Sequence, residues 1–480
     1  MSKALRPRDS TGLLFRRVYD YIIDRIEREE WKAHDKLPSV RLLAKEFHIH
    51  RLTVLRAYQM LKQNGIVYAR EKSGYYVSGN PFGGDTGSND RTNTRLSVPA
   101  YLRNHLGDIH RVSSAYNFSQ ALIDPTLLPN LFLSEYVKQV FDSYPKLLGT
   151  YSSVQGDEEL RELLSRYFLR KHRFLATSDE IMITTGAQQA IDLLSRVYLR
   201  PMDWILVERP TYSAALDIFR QQGARFLPVD IHPDGYDLEQ VETLMIRHKP
   251  RLFYMNPTFH NPTGYTVPTV QRKQLVELAE QNGCLIVEDD AFHDIYFDAP
   301  PPPPLFSFDT EGWVVYLRSF SKYVAPGLRI CAAVARPSVM EPLVTAKSLA
   351  DNGTPLVNQK LFLHCFESAR LQQHLEKLRT ALLIRRDTME RALAETGWSW
   401  GSPQGGLNLW LRLPAELSVD ALLAECFRHS VSFVPGIICD PLRKLESRIR
   451  LSYSFANEEQ IRIGIGKLAA LARSVREFER

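Results

Sequence analysis

The chain has 480 residues, 44% of them hydrophobic and 24% charged, an ordinary globular composition too long for one core, so two or three domains are expected. No apolar run approaches the roughly 20 residues that a membrane helix needs, and the N-terminal M-S-K-A-L-R-P-R-D-S lacks the apolar centre of a secretory signal. The formal charge of +5 is uneven: residues 1–80 hold 16 Lys+Arg against 9 Asp+Glu and the rest 44 against 46, so a polyanion partner is expected for the head alone.

In that head, Leu13 to Trp31 carries Leu14, Val18, Tyr21, Ile22 and Ile26 at helical spacing with charges opposite. Ser39 is a suitable N-cap for a second helix, V-R-L-L-A-K-E-F. A third, R-L-T-V-L-R-A-Y-Q-M-L-K-Q-N, stops at Gly65; Val54, Ala57, Tyr58 and Leu61 form its inner stripe, while Arg51, Thr53 and Arg56 point away. Two short strands around Lys-Ser-Gly close the segment. Three helices and a hairpin predict a winged helix-turn-helix, mostly α with a β wing, whose third helix enters the major groove of duplex DNA. The words L-P-S-V-R-L-L-A, R-L-T-V-L-R-A-Y-Q-M-L and N-G-I-V resemble the GntR family of bacterial regulators over residues 12–79. That resemblance implies that Ser39, Arg41, Arg51, Thr53, Arg56, Lys72 and Gly74 face an operator, with His50 standing where the family usually has Ser or Asn.

Residues 80–112 open with Gly, Asn, Asp and Thr and no apolar period, and read as a linker. The body, 113–475, alternates apolar strand-like runs with amphipathic stretches, the pattern of an α/β sheet covered on both faces. After about Thr345 it turns helical (Gln359 to Thr396), then adds strands near Leu407–Leu413 and Arg448–Tyr453, predicting a smaller α+β lobe.

Ligands of open α/β sheets gather at strand carboxyl ends, and this chain places its polar words there. E-I-M-I-T-T runs into Gly186, Ala187 and Gln188, a helix start whose N–H groups suit a phosphate. W-I-L-V-E leads to Tyr212, able to lie against an aromatic ring, and R-L-F-Y-M to N-P-T-F-H-N-P-T-G with Asn261 as a donor. C-L-I-V-E ends in Asp289-Asp290, placed to hold a pyridinium. W-V-V-Y-L ends in S-F-S-K-Y-V-A-P-G-L-R, where Ser319, Ser321 and Arg329 suit a phosphate and Lys322 is an amine that condenses with carbonyls.

This order resembles the fold-type I pyridoxal-phosphate enzymes of the aspartate aminotransferase group, across about residues 116–470. The resemblance implies pyridoxal 5′-phosphate as cofactor, held as an aldimine by Lys322. Asp289 would pair with the pyridine nitrogen and Asn261 with the ring oxygen, while Tyr212 stacks. Ala187, Gln188, Ser319, Ser321 and Arg329 would hold the phosphate, and Arg450, with Arg448 as its rival, a substrate carboxylate. A tyrosine commonly follows the first aspartate by two or three residues; Ala291 and Phe292 stand there instead. A GntR-like head on such a body resembles the MocR-type regulators, the GabR group. This implies a dimeric transcription factor that senses an amine, an amino acid or the cofactor itself, with a working aminotransferase acting on an amino acid and a 2-oxo acid as the alternative. Five scattered cysteines without C-x-x-C spacing argue against disulfides or zinc and predict a reducing cytoplasm.

Overall fold

The computed structural model describes residues 18–19, 21–26, 30–47, 49–63, 66–70, 74–78, 106–366 and 368–478. It divides into two compact units, Met1–Ser97 and Val98–Arg480.

In the smaller unit, residues 21–26 are helical, followed by α1 (Val40–Glu46), α2 (Arg51–Gln63), β1 (Val67–Arg70) and β2 (Gly74–Val77). The first helix stops short of Trp31, which lies in a bend. Ser39 caps α1 by accepting the Leu42 N–H at 3.2 Å. The inner stripe of α2 is fully buried, and Val54, Ala57, Tyr58 and Leu61 close on Val18, Ile22 and Leu43. Tyr58 satisfies its hydroxyl on Pro38 O and stacks on Tyr75 at 4.4 Å, so one side chain fastens the third helix to both the turn before α1 and the wing. The wing is an antiparallel pair in register Val67↔Val77 to Arg70↔Gly74.

The larger unit begins, among described residues, with α3 (Leu106–Arg111), inside the stretch that the sequence assigns to the linker. Its Ile109 is buried against Trp410, Val434 and Ile438. A single apolar contact in so short a helix gives no period to read, which is why L-G-D-I-H-R looks like linker.

The main sheet has seven strands: β3 (Ile181–Thr185), β4 (Trp204–Arg209), β5 (Arg225–Asp230), β6 (Leu252–Met255), β7 (Leu285–Asp290), β8 (Val314–Ser319) and β9 (Ile330–Val334), in the order β3-β9-β8-β7-β6-β4-β5. Only β9 runs against its neighbours, so the other six present their carboxyl ends along one edge. The central strands are buried throughout, as strands covered on both faces must be. The second sheet, β10 (Ser399–Trp400), β11 (Asn408–Arg412), β12 (Val434–Pro435) and β13 (Arg448–Ser452), has the order β10-β11-β13-β12. With α4 (Ala369–Leu393) and α5 (Glu458–Phe478) it forms the α+β lobe. Among the described residues no helix is long and apolar enough to cross a membrane, and all five cysteines are free and buried.

Candidate cofactor and effector site

The strand ends enclose a cavity of about 110 Å³ lined by Ala187, Gln188, Tyr212, Asn256, Asn261, Asp289, Ala291, Phe292, Ser319, Ser321, Lys322 and Arg329. Lys322 follows β8 by three residues, and its Nζ donates to Ala121 O at 3.1 Å. Burial lowers its pKa to about 8, helped by the cations Arg450 and Arg329 and opposed by Asp289. A lysine poised this way is unprotonated far more often than a surface lysine, as a carbonyl-condensing amine must be.

Asp289 is buried at the end of β7. Its Oδ2 accepts the Tyr254 hydroxyl at 2.7 Å, and its backbone carbonyl accepts from Asn256 Nδ2. Its Oδ1 has no partner among the described residues. Burial pushes its pKa up to about 6 even though the Tyr254 donor pulls it down; Asp290 adds to the rise and Lys322 opposes it. A buried carboxylate oxygen left open beside a cavity suits a cationic N–H donor. Asp290, one residue on, serves the opposite face of the sheet, pairing with His293 Nδ1 at 2.7 Å and accepting Tyr316 OH at 2.8 Å. Burial would raise its pKa, but His293, Arg318 and the Tyr316 hydroxyl outweigh that and hold it below the carboxylate range. Alternation along β7 therefore separates the two aspartates by role.

At the other end of the cavity, Gly186 adopts φ +80°, and a Cβ there would overlap the Arg329 guanidinium. Arg329 itself sits in the left-handed region at φ 56°. The first turn of the helix Ala187–Tyr198, the Ser319 and Ser321 side chains and this guanidinium thus converge, as a phosphate cradle requires. Gln188 Nε2 donates to Tyr212 OH at 3.0 Å, so the Gln188 side chain orients the tyrosine.

Asn261 accepts Arg450 Nη1 at 3.1 Å and Asn408 Nδ2 at 3.5 Å on its Oδ1 and lines the cavity. Arg450 stands behind that wall, 2% exposed, with Nη2 donating to Ser119 O and Nε without a partner among the described residues. Arg448 is on the same strand but half-buried beside Arg412. Two groups of the site escaped the sequence reading. Tyr254 and Asn256 lie two apart along and just beyond β6 and both address Asp289; a tyrosine and an asparagine at i, i+2 in an apolar strand were the available signal. Asn256 also accepts the Asn261 N–H at 2.7 Å, so one side chain joins Asp289 and Asn261.

On the smaller unit, Arg41 and Arg51 are exposed, Thr53 is half-buried, and Gly74 takes φ +116° in the wing. His50 Nδ1 accepts the Leu52 N–H at 3.3 Å, so it works as a cap at the start of α2. Ser39 likewise spends its side-chain oxygen on α1. Lys72 lies outside the described residues, as does the side chain of Arg56.

The fold is that of a pyridoxal-phosphate protein of fold type I. The chain belongs to the aminotransferase class I and II family, whose model matches residues 137–468, and residues 14–77 match the bacterial regulatory proteins of the gntR family; together they make the MocR-like architecture. It is 34% identical over 358 residues to a 2-aminoadipate transaminase of Thermus thermophilus, covering 73% of this chain and 88% of that one. It is 30% identical over 482 residues, 97% of each chain, to the uncharacterized HTH-type transcriptional regulator YisV of Bacillus subtilis. Among solved structures it resembles LysN, the alpha-aminoadipate aminotransferase from Thermus thermophilus, complexed with N-(5′-phosphopyridoxyl)-L-leucine. The TM-score is 0.73 and the identity 32%, over 79% of this chain and 96% of that chain. Pyridoxal phosphate is accordingly the cofactor of this fold, and the open Asp289 Oδ1 and the Gly186–Arg329 cradle fit its two polar ends.

Proposed function

We propose that the protein is a pyridoxal-phosphate-dependent transcriptional regulator, binding DNA through residues 12–79 and an amine-bearing carboxylate through residues 113–475. The observation that carries the effector class is Arg450, a buried guanidinium bonded, among the described residues, to neutral acceptors next to the Lys322 cavity. A cation so placed favours a carboxylate strongly. The cofactor supplies an aldehyde for which Lys322 and an incoming amine compete. With the cofactor bound, Asp289 would hold a proton at its ring nitrogen, Asn261 would donate to its ring oxygen, Tyr212 would pack against its ring, and Arg450 would take the effector's carboxylate. Ala187, Gln188, Ser319, Ser321 and Arg329 hold the phosphate. Ser39, Arg41, Arg51, Thr53, Arg56, Lys72 and Gly74 form the operator face.

We place the protein in the cytoplasm as a homodimer, since two heads would meet paired half-sites. The groove lined by Leu122, Leu128, Val137 and Leu361, with exposed Leu148 and Tyr151 on the same unit, supports a second copy as its occupant. A second reading, a working aminotransferase, is favoured by the relatives of that name and by the complete Lys322–Asp289–Arg329 set. Ala291 and Phe292 oppose it, because they offer no hydroxyl at the ring oxygen.

Titration of the holo-protein with amines and amino acids, read by visible absorbance and by operator binding on the same samples, tests the proposal. An amino acid should change both signals, Lys322→Ala should abolish the visible band, and light scattering should give twice the chain mass. Steady transamination with 2-oxoglutarate at about 1 s⁻¹ or faster, with DNA binding unmoved, would overturn it.

A further inference from the structure

Two donors share one carbonyl at the edge of the effector site. Arg450 Nη2 donates to Ser119 O, and His110 Nε2 lies 3.2 Å from the same oxygen. His110 is half-buried on α3, the first described element after the head, next to the buried Ile109. Ser119 is fully buried, so its carbonyl cannot turn to water. Burial lowers the pKa of His110 against the pull of the Ser119 bond, and Arg450 and Lys322 lower it further. The site therefore favours the neutral ring, which has one N–H to give, and Nε2 must carry it to serve Ser119.

A carboxylate that meets the open Nε–H of Arg450 and takes Nη2 as its second donor competes there with the neutral Ser119 carbonyl, and the charge-assisted pair wins. Ser119 O would then be an orphaned buried acceptor unless a second donor were already in place. Resting on the reading of Arg450 as the carboxylate clamp, we propose that His110 is a positioning residue for that clamp: it keeps Ser119 O satisfied when Arg450 turns to the effector, and so fastens α3 to the occupied site. The described element that follows the DNA-binding head in sequence thereby responds to amines that carry a carboxylate and ignores those that do not. Coupling of this kind needs a contact that differs between the two states, and the shared carbonyl provides it.

The test uses the full-length chain, freed of cofactor and loaded with N-(5′-phosphopyridoxyl)-L-leucine or N-(5′-phosphopyridoxyl)-isopentylamine, which differ only in the carboxylate. The wild type should prefer the first by about tenfold or more, and Arg450→Gln should remove that preference. His110→Phe should bind the carboxylate-free adduct within about twofold of wild type and the carboxylated one about three- to tenfold more weakly. His110→Gln, whose amide can reach the same carbonyl, should restore the preference. Hydrogen exchange in residues 106–111 should slow with the carboxylated adduct in the wild type and not in His110→Phe. Should His110→Phe fail to fold, His110→Asn, too short to reach Ser119 O, takes its place. Equal weakening of both adducts, or no change in either, overturns the proposal. No preference in the wild type, or one that survives Arg450→Gln, overturns the Arg450 reading instead.

Discussion

Asp289 gives the larger unit a stability that depends on pH and on the cofactor. Its side chain is 4% exposed, and burial lifts its pKa from the ordinary 3.8 to about 6. That gap of about 2 pKa units, at about 1.4 kcal/mol each, is worth about 3 kcal/mol. The folded pKa lies above the unfolded one, so the native state binds the proton more tightly between the two values. Stability therefore falls as pH rises from about 4 to about 6 and stays low above that, until a cationic N–H meets Oδ1. Asp289→Asn keeps an acceptor for Tyr254 but has no charge to bury. Without cofactor, the variant should lose the part of this pH dependence that Asp289 contributes, leaving that of the buried Glu288, and at pH 7.5 should be more stable than the parent by up to about 3 kcal/mol. Urea unfolding of the cofactor-free proteins at several pH values, followed by tryptophan fluorescence, measures the difference. Pyridoxal phosphate should reverse the order, because only the parent offers it an anion. A difference that does not change with pH, or a cofactor-free parent that is the more stable at pH 7.5, would refute the reasoning.

Gly186→Ala should lower cofactor affinity at least about tenfold, because the new Cβ meets the Arg329 guanidinium and the φ of +80° suits no alanine. Equilibrium dialysis reads this directly, and wild-type affinity would mean that Arg329 is held elsewhere. In the head, Arg51→Ala should leave the visible band intact and weaken operator binding. The slope of log affinity against log salt should become shallower by about one unit, as loss of a single phosphate contact requires; an unchanged slope removes Arg51 from the DNA face.

The strands that build the site were legible because β6, β7 and β8 are covered on both faces and so read as unbroken apolar runs ending in polar words. Asp289 and Lys322 could be picked out because each sits at or just beyond such an ending, and Arg329 because it follows the Pro-Gly break directly before β9. Arg450 and Arg448 could not be separated by pattern, since residues two apart on a strand share a face. What separates them is the neighbour: Trp410 and Val434 flank Arg450 in the sheet, whereas Arg448 faces Arg412. Tyr254 and Asn256 needed β6 laid beside β7 before their address to Asp289 existed. Ser119 contributes a backbone carbonyl, which no side-chain pattern announces, and α3 is too short to show a period.

Asn261 is where the two halves of an effector would be felt together. Its Oδ1 accepts from Arg450 and, at 3.5 Å, from Asn408, and Asn261 lines the cavity where neither Ala291 nor Phe292 brings a hydroxyl. Under the proposed roles, the ring oxygen then depends on one amide that is polarised by the carboxylate clamp. When Arg450 turns to a carboxylate, that polarisation falls, and no phenol at position 291 or 292 compensates. An enzyme built for turnover gains from a ring oxygen whose donors do not vary through the cycle, because preorganised donors need no reorganisation at the moment of reaction. A sensor gains from the reverse, a single joint at which carboxylate capture changes the hold on the cofactor. The loss of the second hydroxyl and the Arg450–Asn261 bond therefore point the same way, toward a site that registers its ligand more readily than it transforms it.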